Sequence, residues 1–391
     1  MEQPAEQKRS GASQTLLSLQ ALRGVIVLAV IYAHVQLYFA SKLQRPDFLP
    51  SNLTFAAAGI DVFFVLSGFL MVYSTERLFG QPGAMRTYFV RRAGRILPMY
   101  WAATTIVLIY VIVRYGSVAN ATGGAGLDYV ICSYLFIPYG RDWGAPLHGV
   151  GWTLVSEVFF YVAFGLLVMW SRRTVVLAIA VFFLGLVTLG QIFPSLPNPF
   201  HYWTHPLILD IVCGTAIALA YRNGLRIPQP LVYALVVAGL VVLVWSYRQD
   251  HFFAPDSLER LFVWGIPAAA IVGALALAAR PMQHNSISRV FGKVGDAGYS
   301  LYLFHPLGLG VPTMLLGRWV DLAQLPWVHL ALILPCVTVP GFLLYRFVEK
   351  PLTDYYHRKA DAAPRSQPAS VAAFPDPALV PERASSRATS G

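Results

Sequence analysis

The chain has 391 residues, of which 56% are hydrophobic and 12% charged, with a formal net charge of +10. A soluble domain is about 45–50% apolar and about 25% charged, so this composition excludes a predominantly disordered chain and argues against a soluble enzyme. Basic chains often bind nucleic acid. Here the apolar content instead favours an all-α polytopic membrane protein whose positive charge gathers in cytoplasmic loops, with no nucleic acid partner. The three cysteines lie far apart and indicate neither a disulfide framework nor a zinc site.

Ten apolar runs are each close to the ~20 residues that a membrane-spanning helix needs. They cover residues 17–40, 53–76, 96–115, 150–170, 174–193, 205–221, 230–247, 260–279, 297–317 and 325–348. A shorter run at 127–139 is typical of a re-entrant or interfacial helix. Residues 1–15 form a polar segment without an evident cleavable signal, and 16–358 form the transmembrane domain. The Ala-, Pro- and Ser-rich residues 359–391 predict a disordered cytoplasmic tail.

The distribution of basic residues tests this topology. With a cytoplasmic N-terminus, the predicted outer loops contain Lys42, Arg45, Arg114, Arg141, Arg248, Arg260 and Arg318. All the other basic residues except Arg23, which lies inside the first helix, fall on the cytoplasmic side. The bias follows the positive-inside rule and predicts that both termini are cytoplasmic.

Ionisable side chains at membrane depth are costly, and each is a candidate functional residue. The predicted helices contain Arg23, His34, Asp61, Glu157, Asp210 and His305. Arg23 and His34 are eleven residues apart on the first helix, so they share one face and lie roughly 16 Å apart along its axis. Arg23 is near the cytoplasmic end and His34 is in the outer half.

Three carboxylates are predicted at nearly the depth of His34. Asp61, Glu157 and Asp210 each lie a few residues from the outer end of their helices. A histidine with neighbouring carboxylates can act as a general base, because a carboxylate can fix the imidazole tautomer. The pattern therefore predicts an acid/base cluster. The alternative is a set of buried hydrogen-bonded pairs that only hold helices together.

A second group of charges lies at the cytoplasmic end of the third helix, in the segment RRAGRIL at 91–97. Arg92 and Arg95 are i, i+3 neighbours and can face the same way. Arginine binds phosphate through paired hydrogen bonds, so Arg91, Arg92 and Arg95 are candidates for an anionic ligand. The alternative is that they only follow the positive-inside rule or bind lipid headgroups.

Motifs for common cofactors do not occur. The sequence contains no P-loop, no dinucleotide-binding fingerprint and no HExxH metal motif, and His34 and His305 do not form a metal-ligand pattern. We therefore expect no bound metal and no permanently bound cofactor.

The candidate residues lie within stretches that resemble the acyltransferase-3 family of bacterial membrane enzymes. These stretches are SLQALRGVIVLAVIYAH at 18–34, GIDVFFVLSGFLM at 59–71, RRAGRILPMYW at 91–101, VGWTLVSEVFFY at 150–161, GYSLYLFHPLG at 298–308 and FVEKPL at 347–352. The chain looks most like the exopolysaccharide O-acetyltransferase branch. Two departures are Gln20-Ala21-Leu22 before Arg23, where the family often has an acidic residue and glycine, and Asp210, where this branch commonly has glutamate.

The resemblance implies a role for each candidate. His34, Glu157 and Asp61 would be catalytic. The donor-binding residues would be Arg23, Arg91, Arg92 and Arg95, and the resemblance implies an acyl-coenzyme A co-substrate, in this family typically acetyl-coenzyme A. Trp152, Tyr302 and His305 would bind substrate. The acceptor would be a hydroxyl of an exopolysaccharide or lipid-linked oligosaccharide, and the location the bacterial inner membrane.

The combined hypothesis is acyl transfer across part of the bilayer. Coenzyme A phosphates would meet the arginine group, and the thioester would extend past Arg23 towards His34. His34 would act as general base, oriented by Glu157 or Asp61. Direct transfer and a covalent acyl-enzyme both fit these residues. A transporter or flippase for a sugar-linked substrate also explains buried charges, although repeat symmetry is not visible. A non-enzymatic scaffold is a third class.

Overall fold

The computed structural model describes residues 5–44, 48–49, 52–140, 144–249, 252–280 and 285–362. These residues form α-helices joined by short loops, and no β-strand occurs among them. The helices are α1 (Ala5–Ser41), α2 (Thr54–Thr75), α3 (Ala84–Tyr115), α4 (Val118–Thr122), α5 (Leu127–Tyr134), α6 (Trp152–Leu167), α7 (Arg172–Ile192), α8 (Phe200–Trp203), α9 (Ile208–Arg222), α10 (Gln229–Gln249), α11 (Leu258–Arg260), α12 (Ile266–Leu277), α13 (Ser286–Asp296), α14 (Gly298–Leu309), α15 (Val311–Leu316), α16 (Pro326–Leu344) and α17 (Lys350–Ala362). The prediction of an all-α polytopic fold is confirmed.

Three short irregular helices complete the architecture. A 3₁₀ turn (Gly149–Gly151) leads into α6, and π-helical turns join α11 to α12 (Leu261–Gly265) and α16 to α17 (Tyr345–Glu349). In the described part of the chain, nine helical segments are long and apolar enough to cross a membrane. Which side of the membrane each terminus faces stays a prediction from the charge distribution.

The predicted span at 297–317 differs from the structure. This region is divided at Gly310 into α14 and α15, and neither piece is long enough to span a bilayer. Pro312 stands in the first turn of α15, where its missing N–H costs no helical hydrogen bond. An apolar run cannot distinguish one helix from two shorter ones, so hydropathy alone merged them.

Helix α2 lies at the centre of the packing, with most of its membrane-length segment buried. Its closest partner is α9, and the two backbones meet at glycines. A Cβ atom on Gly68 would collide with the carbonyl of Ile211, and one on Gly214 would collide with the carbonyl of Val65. Small residues allow this approach, which supplies dispersion energy where lipid removes the hydrophobic driving force between helices.

The ends of the chain differ from the predicted boundaries. Helix α1 already begins at Ala5, inside the predicted polar segment 1–15, and α17 continues to Ala362. The rest of the predicted tail, 363–391, lies outside the described residues, as do residues 1–4. Helix α3 begins at Ala84 rather than near 96, so the arginine group lies within a continuous helix.

Candidate active site

A chamber with apolar and charged walls lies inside the bundle, between α1, α2, α3, α6 and α14. Its volume is ≈ 880 Å³, including the space at its mouth. Its polar lining comes from five helices and consists of Arg23, Ser67, Arg92, Arg95, Thr153, Glu157, Tyr161, Tyr302 and the end of α14 at Gly298 and Tyr299. The structure therefore brings together Arg23, two of the motif arginines and Glu157, although the sequence placed Glu157 at the level of His34 and the arginines at the cytoplasmic end.

Glu157 is held in this chamber by two hydroxyl groups. The Ser67 hydroxyl donates to Oε1, and the Tyr161 hydroxyl, one turn along the same helix, donates to Oε2 over 3.1 Å. Arg92 lies nearby, with its guanidinium 5.6 Å from the centre of the Tyr161 ring and 2.7 Å from the Ser74 hydroxyl. The carboxylate therefore shares the chamber with Arg23, Arg92 and Arg95, and His34 is not among the described lining residues.

A smaller cavity, which we call the arginine vestibule, adjoins the chamber. It measures ≈ 440 Å³ and is lined by Ser74, Thr75, Leu78, Tyr88, Arg91, Arg92, Arg95 and His357. Arg92 and Arg95 line both cavities. They stand on one continuous helix, so their i, i+3 spacing aims both side chains at the junction between the two spaces.

His34 is paired with a second histidine. The rings of His34 and His305 meet edge to face with centroids 4.6 Å apart. Nδ1 of His34 lies 2.9 Å from the Val30 carbonyl, and Nδ1 of His305 lies 2.7 Å from the Tyr302 carbonyl. A carbonyl only accepts, so Nδ1 of each ring carries the proton. In the neutral ring Nε2 then has a free lone pair, which is the form that a general base requires.

The orientation of His305 follows from the proline after it. Pro306 has no N–H, so the Tyr302 carbonyl four residues earlier loses its helical donor. The His305 imidazole occupies that carbonyl instead. The dipeptide His-Pro within an apolar helix was therefore a signal for a fixed imidazole, and the sequence reasoning did not use it.

Tyr302 connects the chamber to the histidine pair. Its ring lines the chamber and lies 6.1 Å from the His305 ring. Its hydroxyl donates to the Val150 carbonyl over 2.7 Å and lies 2.8 Å from Oγ1 of Thr153. The histidines themselves are not among the described lining residues, so the chamber ends at Tyr302, one helical turn from His305.

Two further contacts fix α14, which carries Tyr302 and His305. Glu349 accepts hydrogen bonds from the Ser300 backbone N–H (3.2 Å) and hydroxyl (2.6 Å), in the first turn of α14. His148 is buried in the loop before α6, and its Nε2 lies 2.8 Å from the Leu303 carbonyl. Burial lowers the pKa of His148, and because a carbonyl only accepts, Nε2 is the ring nitrogen that donates to Leu303. Neither residue was a candidate in the sequence analysis.

The predicted cluster of His34 with Asp61 and Asp210 is not formed. Asp61 is fully buried and receives two hydrogen bonds from Arg260, at 3.1 Å from Nε and 2.7 Å from Nη2. Asp210 is buried beside this pair. Depth alone placed these acids level with His34, but Asp61 contacts Arg260 of α11, and Asp210 lies against Gly265 in the π-helical turn before α12. The tautomer of His34 is fixed by the Val30 carbonyl and not by a carboxylate.

Arg260 was counted among the outer-loop residues, but it is 1% exposed. Its guanidinium also donates to the carbonyls of Ala57 and Phe253 and lies 4.7 Å from the centre of the Trp264 ring. Charge balance in the sequence could have indicated this pairing. Asp61 and Asp210 were predicted at the depth of Arg260, which lies at the edge of a predicted span.

Trp152 is the remaining predicted site residue. Its side chain is partly buried against the apolar core, and its carbonyl accepts a hydrogen bond from the Tyr202 hydroxyl. It is absent from the described lining of both cavities, and its neighbours Thr153 and Leu154 line the chamber. In the described residues, no group of three or more His, Cys, Asp or Glu side chains could hold a metal ion.

The membrane-length helices of the described residues, packed around a chamber with charged side chains in its wall, define a polytopic membrane protein. A profile of the acyltransferase 3 family, described as an acyltransferase domain, matches residues 16–346. The chain belongs to this family, and it is therefore an enzyme of the acyltransferase class rather than a transporter or scaffold.

Individual relatives agree with this membership. The exopolysaccharide production protein ExoZ of Rhizobium meliloti is 28% identical over 77% of this chain and 90% of its own length. Acyltransferase MdmB of Streptomyces mycarofaciens is 26% identical over 91% of this chain and 96% of its own. The peptidoglycan O-acetyltransferase OatA of Listeria monocytogenes is 24% identical over 86% of this chain, which spans 55% of that relative. No solved structure matches the chain.

Proposed function

We propose that the protein transfers an acetyl group from acetyl-coenzyme A to a hydroxyl of a cell-surface polysaccharide or its lipid-linked precursor, in the bacterial cytoplasmic membrane. The names of ExoZ and OatA, which refer to an exopolysaccharide and to O-acetylation of peptidoglycan, support this acceptor class and this acyl group. The observation that carries the proposal is the junction of two cavities at Arg92 and Arg95.

The donor enters through the arginine vestibule. Its phosphates bind the guanidinium groups of Arg91, Arg92 and Arg95, whose planar donors match phosphate oxygens. The pantetheine arm then extends through the junction into the chamber, past Arg23 and Glu157. The positive-inside bias supports a vestibule on the cytoplasmic side, where acyl-coenzyme A is made.

The chemistry takes place beyond Tyr302, at the histidine pair. The neutral His34 accepts the proton of the acceptor hydroxyl on Nε2 as the hydroxyl oxygen forms a bond to the thioester carbonyl carbon. The C–S bond breaks, and the imidazolium returns the proton to the coenzyme A thiolate. The products are an O-acetyl ester and free coenzyme A, and no further reactant is needed.

Glu157 has a different place in this proposal from the one its sequence position suggested. Ser67 and Tyr161 hold it in the wall of the chamber, beside the donor path. The negative charge of Glu157 offsets the positive charges of Arg23, Arg92 and Arg95. The coenzyme A phosphates are therefore not bound too tightly inside the chamber.

Incorporation of label tests the function. The purified protein in nanodiscs is incubated with [¹⁴C]acetyl-coenzyme A and polysaccharide extracted from the host. We expect label in alkali-labile ester linkage to the sugar. Label that stays on the protein when acceptor is omitted would indicate an acyl-enzyme. An unlabelled protein under the same conditions indicates direct transfer. No label in sugar with either acetyl- or succinyl-coenzyme A would contradict the proposal.

Substitution of Arg95 by glutamine is expected to weaken use of the donor. Arg95 lines both cavities, so its substitution removes a charge-assisted contact with the donor at the junction between them. The KM for acetyl-coenzyme A should rise about 10- to 100-fold, with a smaller change in kcat.

The control for Arg95→Gln is Arg173→Gln, which removes the same charge from an exposed position at the start of α7. This variant should keep the wild-type KM. An unchanged KM in Arg95→Gln would show that the arginine group serves only to set topology.

A further inference from the structure

Helix α17 lies beyond the part of the chain that the family profile covers, which ends at residue 346. It nevertheless packs directly on the arginine motif of α3. The Tyr356 ring rests on Gly94, where a Cβ atom would collide with the ring carbons Cγ and Cδ2. Gly94 is the residue of RRAGR without a Cβ atom, and this allows the Tyr356 ring of α17 to pack directly on the motif.

This packing places two side chains of α17 at the vestibule. His357 lines the cavity together with the three arginines of the motif. Asp361, one turn further along α17, forms an ion pair with Arg91. His357 is solvent-exposed, so its ring is accessible to a ligand within the cavity.

The charges around the vestibule are unbalanced. Three guanidinium groups and one imidazole surround ≈ 440 Å³ of space. Among the described residues, the Asp361 carboxylate is the anion that forms an ion pair with them. Clustered arginines with a neighbouring histidine recognise phosphate oxygens, because each guanidinium group and each imidazole ring offers N–H donors to them.

We propose that α17 is part of the donor site: His357 is a fourth phosphate-binding side chain, and Asp361 is an internal competitor that occupies Arg91 until the phosphates of coenzyme A replace it. The inference rests on the function proposed above. The ion pair is suited to replacement because its partners are 26% and 61% exposed, and exposed pairs contribute little stability. A phosphate carries more charge than the carboxylate and binds the same guanidinium through more oxygens.

The test is the Kd for coenzyme A, measured by calorimetry on the full-length protein in phosphatidylcholine nanodiscs. His357→Gln should weaken binding about three- to tenfold, because one phosphate contact is lost. Asp361→Asn should tighten binding about two- to fivefold, because Arg91 is released from its competitor. Asp354→Asn removes the same charge from an exposed position of the same helix and should leave the Kd unchanged.

The outcomes separate this inference from the function on which it rests. If the wild type does not bind coenzyme A, the donor assignment fails, and the role of α17 fails with it. If Arg95→Gln weakens binding while His357→Gln and Asp361→Asn match the wild type, only the role of α17 is overturned.

A lipid headgroup carries the same phosphate chemistry and is distinguished by lipid composition. In nanodiscs that contain phosphatidylglycerol, an unchanged Kd for coenzyme A supports a soluble donor in the vestibule. Loss of coenzyme A binding in those nanodiscs, with the Kd restored in phosphatidylcholine alone, would assign the vestibule to lipid and overturn the proposal.

Discussion

His34→Ala is expected to abolish acyl transfer while the protein still folds and binds its donor. The neutral ring is held by the Val30 carbonyl at Nδ1, which leaves Nε2 as a base beside His305. Alanine provides no group that can take the hydroxyl proton. A general base contributes about 10²–10⁴-fold to a rate, so transfer to sugar should fall by about 10³-fold.

Binding of coenzyme A is the control for His34→Ala. His34 is not among the described residues that line the arginine vestibule, so the Kd for coenzyme A should match that of the wild type. His201→Ala, in the short helix α8, gives a histidine substitution outside both cavities and should keep the rate. Normal transfer by a folded His34→Ala protein would remove His34 from the mechanism.

Arg260→Met is expected to have the largest effect on stability. The substitution leaves Asp61 and Asp210 buried without their cation, and it also removes the donors to the carbonyls of Ala57 and Phe253. Removing one partner of a buried ion pair costs about 3–5 kcal/mol. Thermal unfolding in detergent should show a large fall in Tm and a smaller yield of monodisperse protein.

The double variant Asp61→Asn/Arg260→Met separates charge from packing. Loss of the Asp61 charge together with its partner should recover part of the fall in Tm, because one unpaired carboxylate is removed. Asp61→Asn alone also tests the catalytic role that the sequence pattern implied. Retained activity per folded molecule indicates a structural residue. Loss of activity with an unchanged Tm would assign Asp61 to catalysis.

The sequence predicted His34 in one cluster with Asp61, the acid that binds Arg260, and the structure shows what depth along a helix can and cannot establish. Hydropathy located nine of the ten predicted spans because long apolar helices dominate such a chain. It also placed Asp61, Glu157 and His34 at one level. The rotation of each helix about its axis depends on its neighbours, and that rotation directs Asp61 to Arg260 and Glu157 to Ser67.

Other features depended on contacts between distant segments. The approach of His305 to His34 requires α14 to pack on α1, and no local pattern specifies that pairing. Helix α17 is polar and follows the last span, so it was divided between the core domain and the tail at residue 358. The Tyr356 contact with Gly94, the position of His357 in the lining and the ion pair of Asp361 with Arg91 show that it belongs to the wall of the vestibule.

The central claim is that the donor extends from the arginine vestibule through the chamber to the histidine pair. Photocrosslinking with a coenzyme A thioester that carries a diazirine in a short acyl chain tests it most directly. Peptide mapping should locate the crosslinks on α14 near Tyr302 and His305 or on α1 near His34, and Arg95→Gln should suppress them. Crosslinks confined to lipid-facing positions, or unaffected by Arg95→Gln, would contradict the account.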